Sequence, residues 1–284
     1  MKFKAPFLGA FLYFTPIHGM IVHSMTWSGK RKMIYAGSIV FIGVLIAIRI
    51  VYPIFTKAPT CFDGKKNGEE MGVDCGGSCQ KFCTLEVNNL ILLWSRSFRS
   101  SPTTYSAVAY IENQNLNAEA VGVPYEFKMY DDKNTLIARK EGVTRISRNG
   151  RSVVFEPNIV VGNRIPKTTR FQFLAIPEFV RVDVNKADRL KISAKEMKFE
   201  NEQTTTPKLS GYLENKSLIT VPDIDVIAVL YDKDNNAVTV GKTYIDVLKG
   251  DTRVPIVFTW NEPLFTPVVR IEVIPQFNIF SVDF

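Results

Sequence analysis

The sequence predicts a mainly β protein: two tandem β-sandwiches behind an N-terminal transmembrane helix and a small disulfide-stapled linker. Three observations support this fold class: an apolar run near the N-terminus, four closely spaced cysteines, and two similar stretches of short alternating β-type runs. We therefore predict five segments: 1–32, cytoplasmic or membrane-associated; 33–55, a transmembrane helix; 56–84, a cysteine-rich stalk; 85–186, the first sandwich; and 187–284, the second sandwich.

The apolar run covers residues 33–55 and contains one charged residue, Arg49. At about 1.5 Å per residue, a helix of this length crosses a hydrocarbon layer of about 30 Å. Tyr35 and Tyr52 lie near its ends, where aromatic side chains favour the membrane interface. A buried core helix is the alternative, but globular helices are rarely apolar on every side for six turns.

A basic cluster formed by Lys30, Arg31 and Lys32 comes directly before the run. Positive residues beside a span stay preferentially in the cytoplasm. The sequence therefore predicts a cell-membrane protein with the bulk of its chain, residues 56–284, on the extracytoplasmic side.

The segment from residue 5 to residue 29 is uncharged but is interrupted by Pro6 and Pro16. It is compatible with a first membrane helix over residues 5–27, with an amphipathic segment on the cytoplasmic leaflet, or with translation beginning at Met25. The sequence leaves these interpretations open.

The net charge of +7 is concentrated near the membrane run and does not predict nucleic-acid binding. Residues 1–57 carry seven Lys or Arg residues and no acidic residue. Subtracting these seven from the total of 35 leaves 28 basic residues in the rest of the chain, which match its 28 acidic residues. A charge-balanced ectodomain lacks the basic surface that nucleic acid requires.

All four cysteines, Cys61, Cys75, Cys79 and Cys83, follow the membrane run with the spacing C-x13-C-x3-C-x3-C. Paired C-x2-C zinc knuckles are absent, and an even cysteine count on the outer side predicts two disulfides. Three pairings are open. The segment resembles a motif of bacterial surface proteins, C-x-DG-x-x-N-x-x-E-x-x-VDCGG-x-C-x-x-C, although its last gap is one residue longer. The resemblance implies a small stapled module.

Five oxygen-bearing side chains in this glycine-rich segment form a candidate calcium site. Oxygen ligands alternating along a flexible loop suit Ca²⁺, although the segment has no DxDxDG run. The alternative is a polar loop around two disulfides, and no other cofactor is predicted. The candidate ligands are Asp63, Asn67, Glu69, Glu70 and Asp74.

An internal repeat organises the rest of the chain. Residues 110–113 (YIEN) return as 212–215 (YLEN), and 127–131 (FKMYD) return as 228–232 (AVLYD). Matching 180–184 with 269–273 lowers the offset from 102 to 89 residues, which predicts an insertion in the first copy around 156–166. Each copy has the length of an immunoglobulin-like sandwich, about 100 residues. Residues 96–104 and 199–207 are predicted to be equivalent loops.

The two copies resemble the FxLYD family of β-sandwich domains, which implies modules displayed on the cell envelope without catalytic residues. The first copy has Ala109 at the position where the second copy has the first glycine of the pattern, Gly211. The second copy has Ala228 where Phe is typical. The matching residues are Asn113, Phe127, Met129, Tyr130, Asp131 and Gly150 in the first copy, and Gly211, Asn215, Leu230, Tyr231, Asp232 and Gly250 in the second.

We predict no enzyme and no catalytic residues. A Ser–His–Asp or Cys–His arrangement in the outer part of the chain would need a histidine there, and both histidines, His18 and His23, precede the membrane run. Exposed aromatics are the better indication of function, although tryptophans also fill sandwich cores. We predict that Trp94, Trp260 and Phe265 are binding residues. The predicted function is a membrane-anchored binding or scaffold protein of a bacterial envelope, acting in protein–protein interaction or adhesion. The alternatives are a glycan-binding ectodomain and a cell-wall hydrolase.

Overall fold

A computed structural model describes residues 26–55, 60–200 and 206–284. The chain forms two compact units, residues 1–58 and residues 59–284. Most of the segment with open interpretations, residues 5–29, lies outside the described residues.

Among its described residues, the first unit contains one helix, α1, which spans Trp27–Phe55. It begins six residues before the predicted start, so Lys30, Arg31 and Lys32 lie within its first turns. The stretch Trp27–Tyr52 reaches a mean hydropathy of 2.4, and the described part of the chain does not bury it. Its length and composition fit a membrane anchor or a signal sequence.

The second unit is mainly β and carries two disulfides. Its described residues form thirteen strands: β1 (Ile91–Ser101), β2 (Thr104–Asn113), β3 (Ala118–Tyr130), β4 (Leu136–Ile146), β5 (Gly150–Val160), β6 (Thr168–Phe173), β7 (Glu178–Arg181), β8 (Ile192–Glu200), β9 (Lys208–Asn215), β10 (Val221–Tyr231), β11 (Ala237–Leu248), β12 (Thr252–Thr259) and β13 (Arg270–Gln276). A short helix, α2 (Val184–Ala187), connects the two halves.

These strands build four antiparallel sheets. Sheet A has the order β1-β2-β5, and sheet B has the order β4-β3-β6 with β7 also paired to β3. Sheet C has the order β12-β9-β8, and sheet D has the order β11-β10-β13. Apart from β7, sheets A and B repeat as sheets C and D with the same strand order, so the internal repeat is a repeat of topology.

Each pair of sheets encloses its own core. In the first sandwich, Ala107 and Ile111 of sheet A pack against Phe127 and Met129 of sheet B, and all four are buried. In the second sandwich, side chains such as Leu213 of sheet C pack against residues of sheet D. Alternate residues point inward because side chains alternate between the two faces of a strand.

Two predictions about the repeat are wrong. Thr168 lies opposite Tyr130, and Arg270 lies opposite Tyr231, so β6 corresponds to β13. The offset is 101 residues for the tyrosines and 102 for their partners, so the insertion predicted at 156–166 is absent. The match of residues 180–184 with 269–273 was wrong because it compared the end of β7, an additional strand, with β13.

The predicted loop at residues 96–104 is also wrong. Strand β1 continues to Ser101, and a two-residue turn leads into β2. Pairing with β2 makes this segment a strand, although Phe98 is the one apolar residue between Ser95 and Ser101. Part of the equivalent prediction, residues 201–205, lies outside the described residues.

A buried asparagine secures the same corner of both sandwiches. The Asn113 side chain donates to the carbonyls of Ala118 (2.9 Å) and Ser147 (3.1 Å), and the Asn215 side chain donates to the carbonyl of Ile219 (2.8 Å). Neither asparagine is exposed. Because an unpaired backbone carbonyl is costly in a protein interior, both side chains stabilise the turn after the second strand of their sandwich.

The two sandwiches pack against each other through the outer faces of sheets A and D. Val108 and Val153 of sheet A form one buried cluster with Ile227, Val229 and Tyr231 of sheet D. The layers therefore follow the order B, A, D, C, and a third apolar layer joins the two sandwich cores. Burial of apolar side chains contributes about 25 cal/mol per Å² to such a contact.

Polar contacts hold the edge of this interface. The Tyr110 hydroxyl donates to Glu272 (2.6 Å), and Glu272 also pairs with Arg270 (3.1 Å). Burial works against ionisation of Glu272, but the hydrogen bonds from Tyr110 and Arg270 outweigh it and lower the pKa of the carboxyl. The Gln276 side chain donates to the carbonyl of Val153 (3.1 Å) and so covers the open edge of β5.

Equivalent positions of the two copies show how this interface is encoded. Val108 of sheet A corresponds to Ser210 of sheet C, and Val229 of sheet D corresponds to Lys128 of sheet B. On sheet B, Lys128 pairs with Glu126 (2.5 Å). The two faces that meet are thus apolar, whereas their counterparts on the outside are polar.

This correspondence provides a matched test. Val108→Lys places an unpaired charge in the interface and is expected to lower the free energy of unfolding by about 3–5 kcal/mol. Ser210→Lys makes a related change at the equivalent outer position and is expected to change it by less than about 0.5 kcal/mol. Urea unfolding of the full chain in detergent measures both values, and equal losses would contradict the assigned interface.

Candidate binding site

A cleft of about 470 Å³ opens where the two sandwiches meet. Strands β1 and β5 form one wall, and the start of β11 with the loop after β12 forms the other. The side chains on which the following description depends are Phe98, Arg99, Phe155, Lys242, Trp260, Glu262 and Phe265.

The floor of the cleft is apolar and fixed in place. Phe98 and Phe155 pack against the buried cluster between the sandwiches. The Trp260 indole donates to the carbonyl of Val240 (3.2 Å) and lies edge-on to Phe199, with 6.0 Å between the ring centroids. A Cβ at Gly241 would come within 2.9 Å of the Trp260 ring, so a glycine is needed for the indole to lie flat there.

The rim combines an exposed ring with charges. Phe265 lies in the loop after β12 and is 91% exposed. Arg99 and Glu262 face each other across the cleft at 4.0 Å, and Lys242 pairs with Asp225 at 2.7 Å. Apolar concave surfaces with a few polar groups are typical ligand sites, so the arrangement suits an apolar or aromatic group flanked by polar ones.

The cleft brings together two of the three predicted binding residues. Trp260 and Phe265 line it, but Trp94 does not. The Trp94 ring stacks on Tyr110 with 5.2 Å between centroids and packs against the cluster between the sandwiches. The sequence did not single out Phe155 or Lys242 for binding, because their proximity depends on which sheets pack together.

The cysteine module contains the disulfides Cys61–Cys79 and Cys75–Cys83, which resolves the three open pairings. Gly77 adopts a φ of +57°, and a Cβ at this position would lie 1.8 Å from the carbonyl oxygen of Glu69. The crossing of the two disulfide-linked segments therefore depends on a glycine here.

Three of the candidate calcium ligands already accept hydrogen bonds through their carboxylates: Asp63, Glu70 and Asp74. The Asp74 carboxylate accepts from the amides of Asp63 (3.0 Å) and Gly64 (2.9 Å), and Glu70 accepts from the amides of Asn67 and Asp74. The hydrogen bond from the Asn67 side chain is the main cause that lowers the pKa of Asp63.

A few features of this loop bear on metal binding. The Asn67 side-chain oxygen is buried without a hydrogen-bond partner among the described residues. Cys61, Glu70 and Cys79 also cluster, but the two sulfurs form a disulfide and offer no thiolate. Glu69 takes part in none of the side-chain contacts that hold Glu70 and Asp74. Calcium binding remains a prediction.

The module extends the edge of the first sandwich. The Phe82 amide donates to the carbonyl of Phe179 (2.9 Å), and the Arg181 amide donates to the carbonyl of Gln80 (2.7 Å). The Phe82 ring enters the core of the first sandwich, and the Arg181 guanidinium lies 4.1 Å from its centroid. The module therefore packs on strand β7 as part of the second unit.

Comparisons with known proteins add little. No family model matches the sequence, and no curated protein matches it. Among solved structures, an exo-β-D-glucosaminidase is similar at a TM-score of 0.24 and 10% identity over 64% of this chain and 26% of its own length. A glycoside hydrolase family 2 β-glucuronidase has a TM-score of 0.22 and 8% identity over 62% and 24%.

A transglutaminase from red sea bream is similar at a TM-score of 0.21 and 9% identity over 66% of this chain and 29% of its own. The chain thus spans less than a third of each of these proteins. Scores this low carry no conclusion about function.

Calcium binding can be separated from a structural role of the same carboxylates. If Asp74 serves to cap the amides of residues 63 and 64, Asp74→Ala lowers the melting temperature equally in EDTA and in Ca²⁺. If the loop binds calcium, Ca²⁺ raises the melting temperature of the native chain, and both Asp63→Ala and Asp74→Ala abolish that rise. Calorimetry of the oxidised protein in the two buffers distinguishes these outcomes.

Proposed function

We propose that this protein is a membrane-anchored binding protein of a bacterial envelope that holds a partner protein at the cleft between its two sandwiches. The apolar helix α1 would anchor the chain, and the basic residues 30–32 would remain in the cytoplasm. The two disulfides fit an oxidising, extracytoplasmic location for the second unit.

The cleft is the observation that carries this proposal. It lies between two sandwiches that an apolar interface joins, so its walls are fixed before a partner arrives. Preorganised surfaces bind more tightly because less conformational entropy is lost. The exposed Phe265 at its rim provides an aromatic side chain of the kind that dominates protein interfaces.

The cleft favours a particular partner chemistry. Phe98, Phe155 and Trp260 offer an apolar floor, while Arg99 and Lys242 beside it are paired with acidic residues. The partner segment would therefore contribute an apolar side chain flanked by polar ones. A scaffold or adhesion protein would use such a site to hold one envelope component beside the membrane.

We also propose that both sandwiches are immunoglobulin-like domains of the FxLYD type. Their identical strand order supports this, as does the equivalent placement of Tyr130 and Tyr231 at strand ends. Asp131 and Asp232 begin the following turns, and each accepts a hydrogen bond from a backbone amide four residues later, at 2.8 Å.

A glycan ligand is the second candidate. Aromatic rings combined with Asn261, Arg99 and Lys242 also suit a sugar, whose apolar face stacks on rings while its hydroxyls bind polar groups. A hydrolase would commonly need two carboxylates beside its substrate. Among the described residues that line the cleft, Glu262 is the one acid, so the non-enzymatic interpretation remains our proposal.

Phe265→Ser tests the cleft. Isolation of the full chain from membranes after chemical crosslinking should recover a partner, and this variant should reduce the recovery at least tenfold, because loss of an interface hot spot removes about 2 kcal/mol or more. Leu218→Ser is the matched control: Leu218 is 89% exposed but follows β9 at the opposite end of the second sandwich.

Equal recovery with both variants would show that the cleft is not the binding surface. If no protein is captured and a glycan array binds the native chain but not Phe265→Ser, the glycan alternative replaces the protein partner.

A further inference from the structure

The cysteine module exposes a group of apolar side chains on the part of the second unit that follows the membrane helix. Phe62 is 90% exposed, Leu85 is fully exposed, and Met71 and Val73 are exposed by 60% and 58%. Single exposed apolar residues are normal on protein surfaces, whereas several of them in one small region indicate a contact surface.

Contacts within the module bring the segments that carry these residues near one another. The amides of Asp63 and Gly64 donate to Asp74, which places the segment of Phe62 beside that of Val73. Around Gly76, Met71 and Glu86 are near neighbours: an added Cβ would lie 2.7 Å from the Met71 Cβ and 2.6 Å from a Glu86 carboxylate oxygen. Leu85 adjoins Glu86 in the same turn.

This group is distinct from the surface by which the module packs on the first sandwich. That contact uses Phe82, which is buried, together with Lys81 and Arg181. The module has thus buried one apolar ring against protein while leaving Phe62 and Leu85 in solvent. Two disulfides hold this arrangement, so the module cannot easily rearrange to bury Phe62 and Leu85.

The length of chain between the helix and the module limits what can cover this group. Helix α1 ends at Phe55 and the first cysteine is Cys61. At about 3.5 Å per residue, six residues span at most about 21 Å, which is about half the thickness of a bilayer with its headgroups. If the helix is anchored, a module on so short a tether stays within reach of the bilayer surface.

We infer that the group Phe62, Met71, Val73 and Leu85 inserts into the interfacial region of the lipid bilayer. This inference rests on the proposed anchoring of the chain. Apolar insertion would drive the contact: three of the module's carboxylates, Glu70, Asp74 and Glu86, are engaged by backbone amides and are held away from the headgroups.

Photolabelling from the lipid tests this inference on the full chain. The protein is placed in phosphatidylcholine nanodiscs that contain a small fraction of lipid with a diazirine near the headgroup end of its acyl chain. After irradiation, mass spectrometry maps the adducts. We expect adducts in residues 61–86 as well as in α1, and none near Leu218 or Phe265, two equally exposed apolar residues of the second sandwich.

The double variant Phe62→Ser, Val73→Ser should lose the adducts in residues 61–86, while the control Leu218→Ser, Phe265→Ser keeps them. Intact disulfides, confirmed from the unreduced mass, show that the module still folds. Labelling of α1 without labelling of residues 61–86 overturns this inference alone. Absence of label from α1 as well overturns the membrane anchoring itself, and the inference with it.

Discussion

The apolar contact between sheets A and D determines most of what this protein can do. Without it, the chain would be two independent sandwiches joined by residues 182–191, and the walls of the cleft would move separately. Val108, Val153, Ile227 and Val229 replace that freedom with a third buried layer. Apolar burial is non-directional and does not by itself fix how two sheets are aligned. The hydrogen bond between Tyr110 and Glu272 is directional and favours one alignment of sheets A and D.

The cysteine module depends on the same principle at a smaller scale. A segment of about 25 residues cannot bury enough apolar surface to fold alone, so it relies on two disulfides and on the core of its neighbour. Phe82 reaches into the first sandwich, and backbone hydrogen bonds to strand β7 continue the sheet. The extra strand β7, which has no counterpart among the described residues of the second copy, is the element that provides this docking edge.

The sequence predicted the elements better than their arrangement. Alternating apolar residues indicated the β class, and the repeat of YIEN as YLEN indicated two similar halves with a common asparagine. The same alternation misled the alignment of residues 180–184 with 269–273, because any strand with valines at every second position resembles another. The sequence predicts a loop at residues 96–104 because the serines and arginines before Ser101 hide the strand period. The pairing of sheets A and D can be read from the sequence only after the two copies are aligned. Val108 of sheet A is then matched with Ser210 of sheet C, and Val229 of sheet D with Lys128 of sheet B. Trp260 and Phe265 could be named in advance, but the cleft they share could not, since it is made by strands far apart in the chain.

The packing of the two sandwiches has a consequence for self-assembly. Sheet A meets sheet D, which is the counterpart of sheet B and not of sheet A itself, so the contact is heterologous and the operation that relates the two halves need not close on itself. Repeated indefinitely, that operation could build a fibre. The outer faces of this pair differ from the joined ones: they carry Lys128 paired with Glu126 on one side and Ser210 on the other, where the joined faces carry valine. The ionic and hydroxyl groups of the outer layers thus disfavour a further contact of the same kind.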